Sequence, residues 1–352
     1  MLDALMRKGD RLIHYVQPVS PGAADGLVAE VYAQVARDFV LAPPVTLHAS
    51  APELLAGAWM LIRETLLVGR VPRRQKETVA AAVSQLNSCP FCVDIHSVMM
   101  HASAPVEPGR AELAGALAAW ALATRTPASA LLRRPPFPAE DAPEIVGTAV
   151  AFHYVNRMVN VFLDELPISR LGRFRDVSRR LLALAMHGLA RRSPRPGDSL
   201  SLLPAAQLPE DLAWTRSNPA IAGAYARFAT AVEEYGRQTL PGGVRRLVTE
   251  TLARWSGEDP GLGTGWLEDS IAGRPEHEQP SARLALLTAM ASYRVDEGVV
   301  EAFRRHHPAD RDLVGAVAWA SFAAARRTGS WLAGVEPSAA RGHPVGHKAP
   351  AG

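Results

Sequence analysis

The chain has 352 residues, 48% hydrophobic and 21% charged, with a formal net charge of +3, a globular balance over a length that allows two domains of ordinary size. No basic block interleaved with aromatic residues marks a nucleic-acid partner, and no apolar run reaches membrane-spanning length, since even 145–163 is broken by His153, Asn156, Arg157 and Asn160. The first twenty residues carry no uninterrupted apolar segment of a signal peptide, and the two cysteines sit in one motif rather than a disulfide framework, so a cytoplasmic protein is expected.

In chain order the hydrophobic pattern is helical nearly throughout. Helices are predicted over 26–40, over 52–68 behind Ser50 as a cap, over 73–87 and over 89–102. An alanine- and leucine-rich helix follows over 109–124, a long apolar one over 143–163, and an amphipathic one over 177–190 with a basic end. Alternating β-branched runs are scarce, so no sheet is predicted and the fold class is all-α. That excludes a thioredoxin fold, in which a C-x-x-C follows a strand.

Residues 192–211, rich in Pro and Ser, read as a linker. Beyond it the pattern starts again. PELLAGAW from Pro52 resembles PAIAGAY from Pro219, and the run around Arg73–Glu77 resembles the run around Arg245–Glu250. RAELAGALAAW from Arg110 resembles RLALLTAMASY from Arg283, and Glu144 to Gly147 resembles Asp312 to Gly315. Four matches in the same order, at nearly one offset (173 for Glu77 to Glu250 and for Trp120 to Tyr293, 168 for Glu144 to Asp312), make a tandem pseudo-repeat. The domains are then 1–191, a linker 192–212, a second helical domain 213–334 and a disordered tail 335–352. Twelve residues past Glu250 the chain reads GEDPGLGTGW, with neither cysteine nor histidine, so the second copy has lost whatever the first does.

The chemistry concentrates between Glu77 and His96, ETVAAAVSQLNSCPFCVDIH. Ser88 or Cys89 can cap a helix whose first turn suits Pro90. Cys89, Cys92 and His96 then fall at i, i+3 and i+7, on one face. A helix N-terminus and a nearby imidazole favour thiolate over thiol, whose free pKa is about 8.5. A second thiol two residues away can close a disulfide onto an oxidised partner. A carboxylate such as Glu77 can orient the histidine. The alternatives are an inert buried pair, or a zinc site taking Cys89, Cys92, His96 and Glu77. Glu77 taken alone pairs with Arg73 or Arg74 as a surface carboxylate, and Asp94 reads as a solvated first-turn residue.

The spacing Glu77, eleven residues, Cys89, two residues, Cys92, three residues, His96 resembles the E-x11-C-x-x-C-x3-H signature of the alkylhydroperoxidase D family, within the carboxymuconolactone decarboxylase-like superfamily. The resemblance implies two such all-helical domains in tandem, homo-oligomeric assembly, and no metal or organic cofactor. It also implies a thiol-dependent peroxidase in which Cys92 attacks a hydrogen or alkyl peroxide, Cys89 resolves, and His96 and Glu77 relay protons. The implied reductant is a lipoyl-bearing or thioredoxin-like dithiol. The other readings are a dithiol–disulfide oxidoreductase or redox sensor with little peroxide turnover, and a helical binding protein without activity.

A second feature lies on the long helix. His153, Asn156, Arg157 and Asn160 form a polar stripe at i, i+3, i+4 and i+7, replaced in the second copy by Ser321, Ala324, Ala325 and Thr328. Such groups are costly to bury unpaired, so the stripe faces either a domain interface or the dithiol. In the second case His153, Asn156 and Arg157 bind substrate or favour the thiolate.

Overall fold

The computed structural model describes residues 10–103 and 110–332; the tail expected to be disordered lies outside the described residues. The first half comprises α1 (Gly26–Asp38), α2 (Pro52–Ile62), α3 (Arg73–Leu86), α4 (Pro90–Ala102), α5 (Arg110–Leu122), α6 (Ala142–Phe162) and α7 (Arg175–Ala190). The second comprises α8 (Pro219–Thr239), α9 (Gly242–Arg254), α10 (Gly265–Ile271), α11 (Gln279–Ala291), α12 (Glu297–Arg304) and α13 (Asp310–Leu332). Among the described residues the β pairing is confined to an isolated bridge between Ile13 and Leu163. The fold is all-α, and none of these helices is long and apolar enough to cross a membrane.

Helix boundaries follow local chemistry. Proline opens α2, α4 and α8, where its missing N–H needs no partner. The Asn218 side chain caps α8 by accepting from Ile221 N at 3.2 Å. α2 continues into a π-helical turn, Arg63–Leu67. That turn carries a buried charge cluster in which Arg63 donates to Asp38 at 2.7 Å and to Glu64 at 2.5 Å. Glu64 also accepts from Ser199 Oγ at 2.6 Å and Gly197 N at 2.8 Å. The connection between the halves is therefore pinned to the first half rather than slack.

The repeat is visible in the packing. α2 packs on α8 and α6 packs on α13, so these two helices each meet the counterpart that the sequence repeat assigns them. Gly57 lets this happen on α2, because a Cβ there would lie 2.5 Å from the Phe228 ring of α8. One continuous apolar core runs through both halves.

α3 lies against α4, α5 and α6, while α7 covers the outer face of α4. Val98, Met99 and Ala102 of α4 form a small second core with Ala183, Met186, Leu189 and Ala190 of α7. This layer corrects the reading of Asp94 as solvated. Its side chain is fully buried and accepts from Arg175 and Arg179, each Nε at 2.9 Å, and from Ser169 Oγ. Burial opposes its ionisation, but Arg175, Ser169 and Arg179 outweigh it and hold the carboxyl below its usual range. A helix seen alone gives no sign that another helix will cover its polar face.

At Gly257 the loop after α9 touches the first half. Its φ is +92°, and a Cβ would fall 1.7 Å from the Arg125 carbonyl oxygen. Gly257→Ala is expected to destabilise the protein by about 2–4 kcal/mol, from left-handed strain together with a backbone clash. Denaturant unfolding checks this; a stability within 0.5 kcal/mol of wild type, roughly the scatter for neutral surface changes, would refute it.

Candidate active site

α3 ends at Leu86, Asn87 caps it, and Ser88 turns into the left-handed region at φ +52°. Cys89 N then donates to Ser84 O at 3.0 Å, and Cys89 occupies the N-cap of α4. The turn thus delivers Cys89 to the start of α4 and Cys92 to its first turn, among N–H groups that no helical carbonyl satisfies. Both thiols are free and buried, 1% exposed for Cys89 and 2% for Cys92. Cys89 contacts Cys92 and Asn156. Its pKa is pushed well up by burial and then by Cys92, so Cys89 remains a neutral thiol near pH 7.

One turn beyond Cys92, His96 Nδ1 lies 2.6 Å from Glu77 Oε2. The other oxygen of Glu77 accepts from Arg73 Nε at 2.6 Å. Glu77 is fully buried. Burial opposes its ionisation, but Arg73 and then His96 outweigh it and hold Glu77 below the ordinary carboxylate range. An ionised Glu77 only accepts, so Nδ1 carries the hydrogen and Nε2 of a neutral His96 keeps its lone pair. The edge of Phe152 packs on the His96 ring, with centroids 4.4 Å apart at 85°. Arg73 lies over the Phe39 ring at 5.4 Å. The pairing with Arg73 and the pairing with His96, two readings of Glu77 in the sequence, therefore coexist.

The polar stripe of α6 divides between two neighbourhoods. Asn156 accepts from Asn87 Nδ2 at 3.1 Å and donates to Ser84 Oγ at 2.9 Å, beside Cys89. His153 Nδ1 accepts from Asn87 Nδ2 at 3.0 Å, and its Nε2 lies 2.9 Å from Thr124 Oγ1, which itself donates to Ala121 O. Both ring nitrogens are thus occupied by protein groups. Burial and then Arg157 and Arg125 push the His153 pKa well down, so the ring is neutral. Arg157 donates to His153 O at 2.6 Å and to Ala289 O of α11 at 3.0 Å. Burial and Arg125 push it down to about 9, still charged at neutral pH. Asn160 reaches Asn87 O and Ser292 Oγ, each at 3.0 Å. The stripe is an inter-half seam at Arg157 and Asn160 and a neighbour of the dithiol at Asn156.

Ser84, Asn87, Thr124 and Arg125 were not singled out in the sequence: Ser84 and Asn87 lie on α3 and at its C-cap, Thr124 and Arg125 follow α5, and only packing against α6 and the second half gives them their partners. Arg73 had a signal, its i, i+4 spacing to Glu77. Arg73 and His96 each bond one oxygen of Glu77. Among the described residues, no three His, Cys, Asp or Glu side chains are arranged to hold a metal ion.

Residues 53–133, from α2 past α4, match the model of the carboxymuconolactone decarboxylase family. Over 348 residues the chain is 38% identical to an alkyl hydroperoxide reductase of Mycobacterium tuberculosis, covering 96% of this chain and 100% of that protein.

The buried triad makes stability depend on pH. Glu77→Gln leaves Arg73 without its counter-charge and is expected to cost about 3 kcal/mol at pH 7. A lowered carboxyl pKa stabilises the fold above the unfolded-state value, about 4.3, and that stabilisation is lost as pH falls through the folded-state value. The gap between wild type and Glu77→Gln should therefore be full at pH 7 and close at low pH. Equal gaps in denaturant unfolding at pH 7 and pH 3 would refute the ionised state of Glu77.

Proposed function

The chain belongs to the carboxymuconolactone decarboxylase family, among its alkylhydroperoxidase D-like members, and on that premise we propose that it reduces hydroperoxides through a Cys89–Cys92 dithiol cycle. The observation that carries the reading is the Glu77–His96 pair, 2.6 Å apart, one helical turn from a buried and reduced Cys92. The full-length relative named as an alkyl hydroperoxide reductase supports the peroxide as substrate.

Each group has a role its position allows. His96 Nε2 takes the Cys92 proton, while Glu77 holds the imidazole in the required tautomer and favours the imidazolium that forms. Arg73 keeps Glu77 ionised. The Cys92 thiolate attacks the distal oxygen of ROOH; the O–O bond breaks, Cys92 becomes a sulfenic acid, and RO⁻ leaves as ROH with the proton from His96. The Cys89 thiol then attacks the sulfenic sulfur, forming the Cys89–Cys92 disulfide and releasing water. An external dithiol restores both thiols and becomes a disulfide itself. Asn156, bonded beside Cys89, positions the resolving thiol. His153 and Arg157, saturated by protein groups, shape that wall without touching substrate. The rings of Phe39 and Phe152 near the triad suit an alkyl peroxide.

Burial of both sulfurs to 2% exposure or less discriminates between reaction partners. A small peroxide reaches them more readily than a protein disulfide does, which favours the peroxidase over a protein oxidoreductase. For the same reason a slender lipoyl arm suits the reductive step better than a globular thioredoxin surface. The tandem halves also supply, within one chain, the helix pairing that identical subunits would otherwise supply.

Stopped-flow oxidation of the reduced protein by hydrogen peroxide and by an alkyl hydroperoxide, with thiols counted before and after, tests the proposal. Wild type should lose two thiols per peroxide. Cys92→Ser should not react. Cys89→Ser should consume one equivalent and stall as sulfenic acid on Cys92. Sulfenic acid on Cys89 in the Cys92→Ser protein, formed at the wild-type rate, would reverse the roles.

A further inference from the structure

The turn that presents Cys89 is held by side chains anchored in the half that has no cysteine. Leu86 O accepts from Arg125 Nη1 at 3.3 Å, and Arg125 Nε donates to Gly257 O of the second half at 3.0 Å. The Arg125 guanidinium lies 5.4 Å over the Trp255 ring of that half. Asn87 O accepts from Asn160 Nδ2, and the same amide donates to Ser292 Oγ just after α11. Arg157 fixes the register of α6 on α11 by donating to Ala289 O. Leu86 O and Asn87 O stand at the end of α3, where carbonyls have no intrahelical partner, so these contacts supply partners the helix does not.

Ser88 makes the holding matter. A serine at φ +52° occupies a conformation that a free chain leaves readily. Disulfide closure is demanding in the separation and direction of the two Cβ atoms. A relaxed turn would carry Cys89, the next residue, out of that geometry.

We infer that the cysteine-free half positions Cys89: Ser292 and the Gly257 carbonyl, acting through Asn160 and Arg125, lock the turn from which Cys89 closes a disulfide onto Cys92. The assignment of Cys89 as the resolving thiol rests on the proposed peroxidase cycle; the lock itself concerns the dithiol–disulfide couple in any reaction. Ser292, Asn160 and Arg125 are positioning residues, and the second half supports the chemistry it no longer performs.

The test uses the full chain and a buffer of reduced and oxidised dithiothreitol, with no peroxide. Ser292→Ala should disfavour the Cys89–Cys92 disulfide about three- to tenfold, the effect of one lost hydrogen bond, raising the reduction potential by ~15–30 mV. Asn160→Ala should do at least as much. The double variant should add nothing to Asn160→Ala, since Ser292 acts through Asn160. Tyr225→Phe removes a different bond between the halves, Tyr225 OH to Gly147 O at 2.7 Å, and should leave the potential unchanged. Should Asn160→Ala fail to fold, the comparison of Ser292→Ala with Tyr225→Phe decides. A folded Ser292→Ala with the wild-type potential, or an equal shift in Tyr225→Phe, overturns the inference. Lack of peroxide turnover by wild type would sink the peroxidase reading and leave these potentials as an independent result.

Discussion

A carboxylate with no access to water is the constraint on which the site depends. Glu77 at zero exposure would not stay ionised alone; it does so because each of its oxygens meets a cation or a hydrogen-bond donor. Arg73 reaches it from one turn back on α3, and His96 from the second turn of α4. The two helices must then pack at one register, and the connection between them must be a tight reversal. The left-handed Ser88 and the N-cap position of Cys89 follow from that reversal. The same bond to an ionised Glu77 fixes the hydrogen on Nδ1 of His96 and leaves the lone pair on Nε2.

α4 is gripped by a second buried carboxylate on its other side. Asp94 and His96 are two residues apart, about 200° round the helix, so they face opposite ways. His96 is tied inward to Glu77, while Asp94 is tied outward to Arg175 and Arg179 of α7. Buried ion pairs contribute little net stability compared with apolar packing, but they penalise every wrong register.

The two halves differ most where the sequence repeat aligns them with the site. Counterpart helices still pair, α2 with α8 and α6 with α13. Glu250, the counterpart of Glu77, is exposed, and no cysteine follows it. The counterparts of the polar stripe, Ser321, Ala324, Ala325 and Thr328, are small and buried. On α6 the stripe remains polar because it does two things there, bonding the Cys89 turn and reaching Ala289 and Ser292. The second half has no cysteine, and there the small side chains pack in the core.

Much of the fold was legible along the chain. Helix positions depend on periodicity, caps and prolines, all of which act within a few residues, and from α1 to α7 the observed boundaries fall within two residues of the predicted ones once the π-helical turn to Leu67 is counted with α2. The meeting of Glu77 with His96 was legible for a similar reason, since the two sit on adjoining helices at a spacing written in the chain. The burial of Asp94 was not legible, nor were the places of Ser84, Asn87, Thr124 and Arg125 around the dithiol. Which way the stripe of α6 faces was also left open. Those facts depend on which helix covers which face, and that is set by packing between elements up to 132 residues apart, as with Arg125 and Gly257 or Arg157 and Ala289. A local pattern says that a polar group is present; only the tertiary structure supplies the partner that decides whether it is charged, neutral or spent.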